Sequence, residues 1–269
     1  MEQIQPSSAS RDSSHKGSNK NAHRPLLEIA CFNKESAIIA ARAGADRIEL
    51  CRDYASGGLS PEPETVAILK SQISIPIYVM IRPHAQSFYY SDTDFEVMKR
   101  TMHSFLEHGA DGFVFGILTQ TAPEEAVPRI DVGRNRELVD LAQGRPCTFH
   151  RAFDQISESN WDTALTDIVE CGFTSILTSG PSGATAIECV SQLNHLVHER
   201  LERLRGRVKG HGRLPQIIVG GGVRATNVGM LWEKTRAPAF HSAALAQSSV
   251  ELVSDGEVEA LRAILNKAT

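Results

Sequence analysis

Three things are scarce in this chain of 269 residues, and each scarcity narrows what it does. No apolar run approaches the roughly 20 residues that a helix needs to span a bilayer, so a membrane partner is not expected. Positive charge is not in excess: 28 Lys and Arg stand against 32 Asp and Glu, for a formal net charge of -4. No basic run supplies the electrostatic footprint of phosphate-backbone binding, so nucleic acid is not an expected partner either. Cysteine is sparse as well. The five cysteines are odd in number and irregularly spaced, which argues for free thiols in a reducing compartment rather than a disulfide framework. The expected location is the cytoplasm, with nuclear presence also compatible.

What is present begins with a compositional break. Residues 1–25 are rich in Ser, Asn, Lys and Arg and carry no aliphatic pattern between Pro6 and Ala22. Such a stretch buries too little apolar surface to offset its ordering entropy, and a disordered N-terminal tail is expected there. Residues 26–269 read as one domain. Short apolar runs alternate with amphipathic stretches eight times, starting with LLEIA at Leu26–Ala30 and DRIELC at Asp46–Cys51 and ending with AFHSAAL. Ser91 before an acidic first turn is a good N-cap, and Gly109 is a good helix stop. The stretch from Ala184 to about Arg205 reads as one long helix, and the Arg- and Gly-rich connector Glu199 to Leu214 as an exposed excursion.

Near-continuous apolar strands joined by helices point to a parallel sheet buried on both faces. Eight strand-helix units in about 245 residues match the size of an α/β protein of the closed (β/α)8, TIM-type barrel class. The competing doubly wound sheet would carry its fingerprint glycines after the first strand. Here Gly220, Gly221 and Gly222 follow the seventh.

In a barrel of this class the working residues sit at the carboxyl ends of the strands. Those ends carry Glu28 and Cys31, Glu49 and Cys51, Arg82, His150 and Arg151, Ser179, the glycine triplet and His241, with Asp154 close behind. Glu49 and Cys51 share one face by alternation and lead into the Gly57-Gly58 loop and a Ser-Pro helix start. Two chemistries and one bland alternative fit this gathering. Glu28, Glu49, Arg82, His150, Arg151 and Asp154 suit acid-base catalysis on a small anionic or phosphorylated substrate. Ser179, Gly220, Gly221, Gly222 and His241 would then hold the anion. The bland reading is a ring of salt bridges closing the barrel, with Cys147, Cys171 and Cys189 as core and the two mouth cysteines divided between packing and binding. No lysine stands at a strand end, which argues against a Schiff-base aldolase.

Taken in order, LEIAC, AGADRIELC with its GGLSP loop, IPIYVMIRP, YSDTDFEVM, GADGFVFGILT, TFHRAFD, ILTSG, VGGGV and the late Phe240-His241 pair resemble the CutC family of copper homeostasis proteins. The resemblance implies a (β/α)8 barrel, an intracellular home and self-association as a homodimer or homotetramer. It also implies a copper ion as partner, with Cys31 and Cys51 as ligands. Monovalent copper, Cu(I), is soft and accepts two thiolates in near-linear coordination, and the first two strands of a barrel are neighbours. An enzyme would instead depend on Glu49, His150 and Arg151.

Overall fold

The strand runs are too apolar to leave a face in water, and the chain meets that demand by closing the sheet on itself. The computed structural model describes residues 24–120, 127–206, 214–247 and 251–268. The expected tail therefore lies outside the described residues up to residue 23, as does much of the 199–214 connector, from 207 to 213.

The strands in chain order are β1 (Leu26–Cys31), β2 (Arg47–Leu50), β3 (Ile77–Met80), β4 (Gly112–Phe115), β5 (Leu118–Gln120), β6 (Pro128–Ile130), β7 (Cys147–Phe149), β8 (Ser175–Thr178), β9 (Gln216–Val219) and β10 (Ala239–Ser242). The helices are α1 (Lys34–Arg42), α2 (Pro63–Lys70), α3 (Asp92–Glu107), α4 (Val132–Leu141), α5 (Trp161–Cys171), α6 (Val190–His195), α7 (Leu201–Arg205), α8 (Val228–Thr235) and α9 (Asp255–Asn266). Eight strands close a parallel barrel in the order β1-β10-β9-β8-β7-β4-β3-β2. The (β/α)8 expectation holds. No helix among the described residues is long and apolar enough to cross a membrane.

Alternation sorts the side chains into two packing layers. Leu27, Ile29, Ile48, Leu50, Ile77 and Val79 face outward into the main core, which they share with the helices. The interior holds its own clusters: Leu177, Ile218 and Ala239 with Leu26 in one, and Cys51, Tyr78, Met80 and Val114 in the other. The outer layer is sealed by large rings such as Trp161, Phe105 and Phe113, all fully buried.

The local signals behave unevenly. Ser91 caps α3 with a full capping box, its side chain accepting from Asp94 N while the Asp94 carboxylate accepts from Ser91 N. Gly109 ends that helix at φ +84, where glycine alone is unstrained. The expected Ser-Pro helix start shifts: α2 begins at Pro63, and the Ser60 hydroxyl instead accepts from Arg82 N at 2.8 Å. The run Ala110–Leu118 is not one strand. It ends its barrel pairing at Phe115, and β5 pairs antiparallel with β6 outside the barrel sheet. Asn135 of α4 anchors that turn, accepting from Ile117 N at 3.1 Å and donating to Ile117 O at 2.8 Å. The helix expected from Ala184 starts later, at Val190, and runs to Arg205 with a π-helical turn at Leu196–Arg200 joining α6 to α7.

Asn135 is fully buried and replaces backbone partners that no water can reach. Asn135→Ala is expected to lower the unfolding free energy by about 2 kcal/mol, since it strands the buried Ile117 N–H, while the Ile117 carbonyl keeps its bond from Asp131 N. Ser91→Ala removes an exposed cap and is expected to cost only about 1 kcal/mol. Urea unfolding of both variants checks the ranking, and equal losses would contradict the role given to Asn135.

Candidate functional site

The mouth of the barrel is built from the inward positions of its strands, and its first ingredient is charge. Glu28 on β1 is fully buried, and register sets it beside Arg47 of β2 and His241 of β10. Its Oε2 accepts from Arg47 Nε at 2.5 Å and its Oε1 lies 2.8 Å from His241 Nδ1. Arg47 also lies over the Tyr78 ring, 4.1 Å from the centroid. Burial alone would raise the Glu28 carboxyl, but Arg47 and then His241 outweigh it and bring the group down to about 2. His241 moves the other way: burial lowers it, and the carboxylates of Glu49 and Glu28 raise it above its usual value.

Glu49 is the contrasting acid. It is 3 % exposed, and burial lifts its carboxyl above the ordinary range despite His241 nearby. Oε1 accepts from the Cys51 thiol at 3.2 Å. Oε2 stands 3.8 Å from His241 Nδ1, too far for a hydrogen bond, and has no partner among the described residues. Burial, then Glu49, hold the Cys51 thiol well above its usual value, so it is protonated at neutral pH.

Across the mouth, His150 follows β7 and caps the short 3-10 turn Arg151–Gln155, its Nδ1 accepting from Ala152 N at 3.3 Å. Burial, helped by Arg82, lowers its imidazole to about 3. The neutral ring therefore carries its proton on Nε2, which is buried and unpartnered. Gly116 lets the ring approach, because a Cβ there would lie 2.8 Å from Nδ1. Arg151 is held by Asp154 Oδ2 at 2.8 Å and donates to Ser179 Oγ at 2.9 Å. Asp154 also accepts from Thr178 Oγ1 at 2.5 Å and from Ser179 Oγ at 2.9 Å, so it fixes the wall rather than lining it.

These pieces enclose a cavity of about 250 Å³. Of the residues expected at the mouth, Glu49, Cys51, Arg82, His150, Arg151, Gly221, Gly222 and His241 line it. Glu28, Asp154 and Ser179 stand behind that wall as supports. Gly220 is packed against Leu177 and His241, with no room for a Cβ. Cys31 is placed differently from Cys51. The strand runs through Cys31, parity turns its side chain outward, and the thiol sits in the sheet-helix core 3.6 Å from Ile29 O. Sequence reasoning passed over Arg47, Tyr78 and Met80. Their signal was available, since Arg47 alternates with Glu49 and Cys51, and Tyr78 and Met80 alternate with Arg82.

Two donor sets in this region differ in hardness. Glu28, Glu49 and His241 offer ligand atoms within 4.8 Å of one another, but Arg47 already balances Glu28, and carboxylates with imidazole suit a harder ion than Cu(I). Cys51 and Met80 are the soft pair. Both line the cavity and pack against Gly58, where a Cβ would lie 3.3 Å from Cys51 Sγ and 3.7 Å from Met80 Cε.

The model of the CutC family matches residues 25–246. The chain belongs to the CutC family. Among CutC relatives, a human protein named copper homeostasis protein cutC homolog is 35 % identical over 219 residues, 81 % of this chain and 73 % of that one. A crystal structure titled as the putative copper homeostasis protein CutC from Streptococcus agalactiae aligns with a TM-score of 0.70 at 30 % identity, covering 81 % of this chain and 98 % of that one. Phosphoribosyl anthranilate isomerase from Thermotoga maritima aligns at a TM-score of 0.57 over 90 % of this chain and 99 % of its own, but at 11 % identity it shares only the fold.

The Glu28 pairing fixes a pH dependence for this CutC chain. A carboxyl lowered from 4.5 to about 2 on folding contributes stability that is present above the unfolded value and lost as pH falls through the folded one. Unfolding free energy measured between pH 5 and pH 2 (roughly that window) is expected to fall with acidification in the parent. Glu28→Gln should be less stable at pH 7, with Arg47 left unpaired, and should show a shallower acid slope. An unchanged slope would remove Glu28 as its source.

Proposed function

We propose that the chain serves copper homeostasis by holding monovalent copper at the barrel mouth, with the Cys51 thiolate as anchor and the Met80 thioether beside it. The observation that carries this reading is the shared outlook of these two sulfur side chains onto the cavity. Thiolate and thioether are the ligands Cu(I) prefers, and the copper homeostasis names of the relatives agree with that preference. Cys31 completes the pair expected from the sequence only if the end of β1 rearranges, since its thiol is packed on the other side of the sheet.

A second reading, an enzyme acting on a small anionic or phosphorylated substrate, is favoured by a different observation. Glu49 Oε2 and the His150 Nε2 proton are both buried, unpartnered and set in the wall of one cavity. A carboxylate and a neutral imidazole in that arrangement are equipped to take a proton and to polarise an oxygen. Replacing Glu49 would then abolish turnover while Cys51→Ser left it intact.

The copper reading is tested by anaerobic titration of monovalent copper against a competing chelator. The parent is expected to take up one ion tightly, Cys51→Ser to lose that site, and Cys31→Ser to keep it. Because the Cys51 thiol is protonated at neutral pH, uptake should release about one proton per ion and affinity should strengthen with rising pH. Retention of the site by Cys51→Ser sinks this assignment.

A further inference from the structure

Beside the two sulfur side chains, the cavity wall carries a set of donors that the copper reading does not use. Arg82 enters it from the end of β3 at only 7 % exposure. Its guanidinium donates to Ser56 O at 2.8 Å, Gly58 O at 3.0 Å and Ala85 O at 3.2 Å, all uncharged acceptors. Among the described residues no carboxylate forms an ion pair with it, and its Nε is buried without a partner. A buried cation with no counter-charge is costly, and an anion from outside would offset that cost.

Arg151 stands opposite with its side chain 47 % exposed, held in place by Asp154 and Ser179. Its Cζ is 3.7 Å from where a Cβ on Gly221 would fall, so the guanidinium passes close to the Gly221 backbone. Gly221 and Gly222 adopt φ +89 and +79, and a Cβ on Gly221 would collide with Ser179 Cβ at 2.6 Å. Gly220 N is spent on Thr178 O, whereas the Gly221 and Gly222 amides donate to no described residue. The His150 Nε2 proton completes the wall, buried and unpartnered. Arg224, at the rim, is already within 3.9 Å of Glu257 and adds less.

We propose that Arg82, Arg151, His150 Nε2 and the Gly221-Gly222 backbone form a binding site for a small doubly charged oxyanion, the phosphate group of a small phosphate monoester. The two guanidiniums supply charge and fork-shaped donor geometry, and the imidazole and amides supply uncharged donors. One full counter-charge is missing at Arg82 and a partial one at Arg151, which favours a dianion over a carboxylate. The site stands on residues separate from Cys51 and Met80, so it holds whether or not the mouth carries copper.

The test uses the full chain free of metal, titrated calorimetrically with inorganic phosphate, methyl phosphate and acetate. One saturable site is expected for both phosphates, with acetate about tenfold weaker or more. Arg151→Gln should weaken phosphate binding by at least about tenfold, and Arg151→Lys by less, because it keeps the charge and loses the fork. Cys51→Ser and the surface control Arg205→Gln should bind as the parent does. Phosphate should also raise the thermal midpoint of the parent and not of Arg151→Gln. Lack of saturable phosphate binding by the parent overturns the proposal, and so does parental affinity in a folded Arg151→Gln variant. Acetate binding as tightly as phosphate overturns the dianion assignment. Loss of copper uptake without loss of phosphate binding, or the reverse, separates this site from the copper reading.

Discussion

In a closed parallel sheet every step of one residue carries a side chain from the barrel interior to the helix layer or back, and no edge strand allows the register to slip. Almost everything distinctive about this protein follows from that alternation. On β1, Glu28 turns inward and Cys31, three residues on, turns outward into the apolar core. On β2, Arg47 and Glu49 point inward, and Cys51 beyond the strand end keeps their direction. On β3, Tyr78 and Met80 share the interior, and Arg82 beyond them reaches the mouth. Two cysteines on neighbouring strands therefore meet different surroundings, although Cys51 N donates to Cys31 O at 2.9 Å.

The interior also shows how a barrel tolerates several ionisable groups away from water. Each buried charge costs several kcal/mol unless matched, and Glu28, Arg47 and His241 match one another across three adjacent strands. That cluster closes the floor of the mouth and leaves Glu49 as the acid with a free oxygen. The bland expectation, salt bridges sealing the barrel, is thus right for the floor. One layer higher, Glu49, Arg82 and His150 carry buried polar atoms without partners among the described residues, and Arg47 Nη2 is another in the floor itself, so each such atom calls for its own explanation.

The cavity wall mixes two kinds of group: sulfur and carboxylate from Cys51, Met80 and Glu49, and guanidinium, imidazole and glycine backbone from Arg82, His150, Arg151, His241, Gly221 and Gly222. The proposed soft-metal and anion sites draw on different side chains and need not compete for the same atoms. Asp154 and Ser179 support Arg151 from behind, holding it by two hydrogen bonds at 2.8 and 2.9 Å. That support explains how a side chain half open to solvent keeps one direction.

The amino-acid sequence by itself determined the barrel, because eight apolar runs separated by amphipathic stretches have few other ways to bury both sheet faces. It also placed most of the mouth, since strand ends are legible from where each apolar run stops. Local signals with a single physical cause, such as the Ser91 cap and the Gly109 stop, were equally readable. What the tertiary structure decided was partnership. Whether the run after Ala110 continues past Phe115 depends on Asn135 capturing Ile117 from a distant helix. Whether an acid is satisfied depends on register: Glu28 meets Arg47 and His241, while Glu49 keeps an open oxygen. Whether a thiol faces the cavity or the core depends on where β1 truly ends, and hydrogen bonding to β2 carries that strand through Cys31. Hydrophobic periodicity is a local property of the chain, but register, pairing and solvent exclusion arise only when distant segments are brought together.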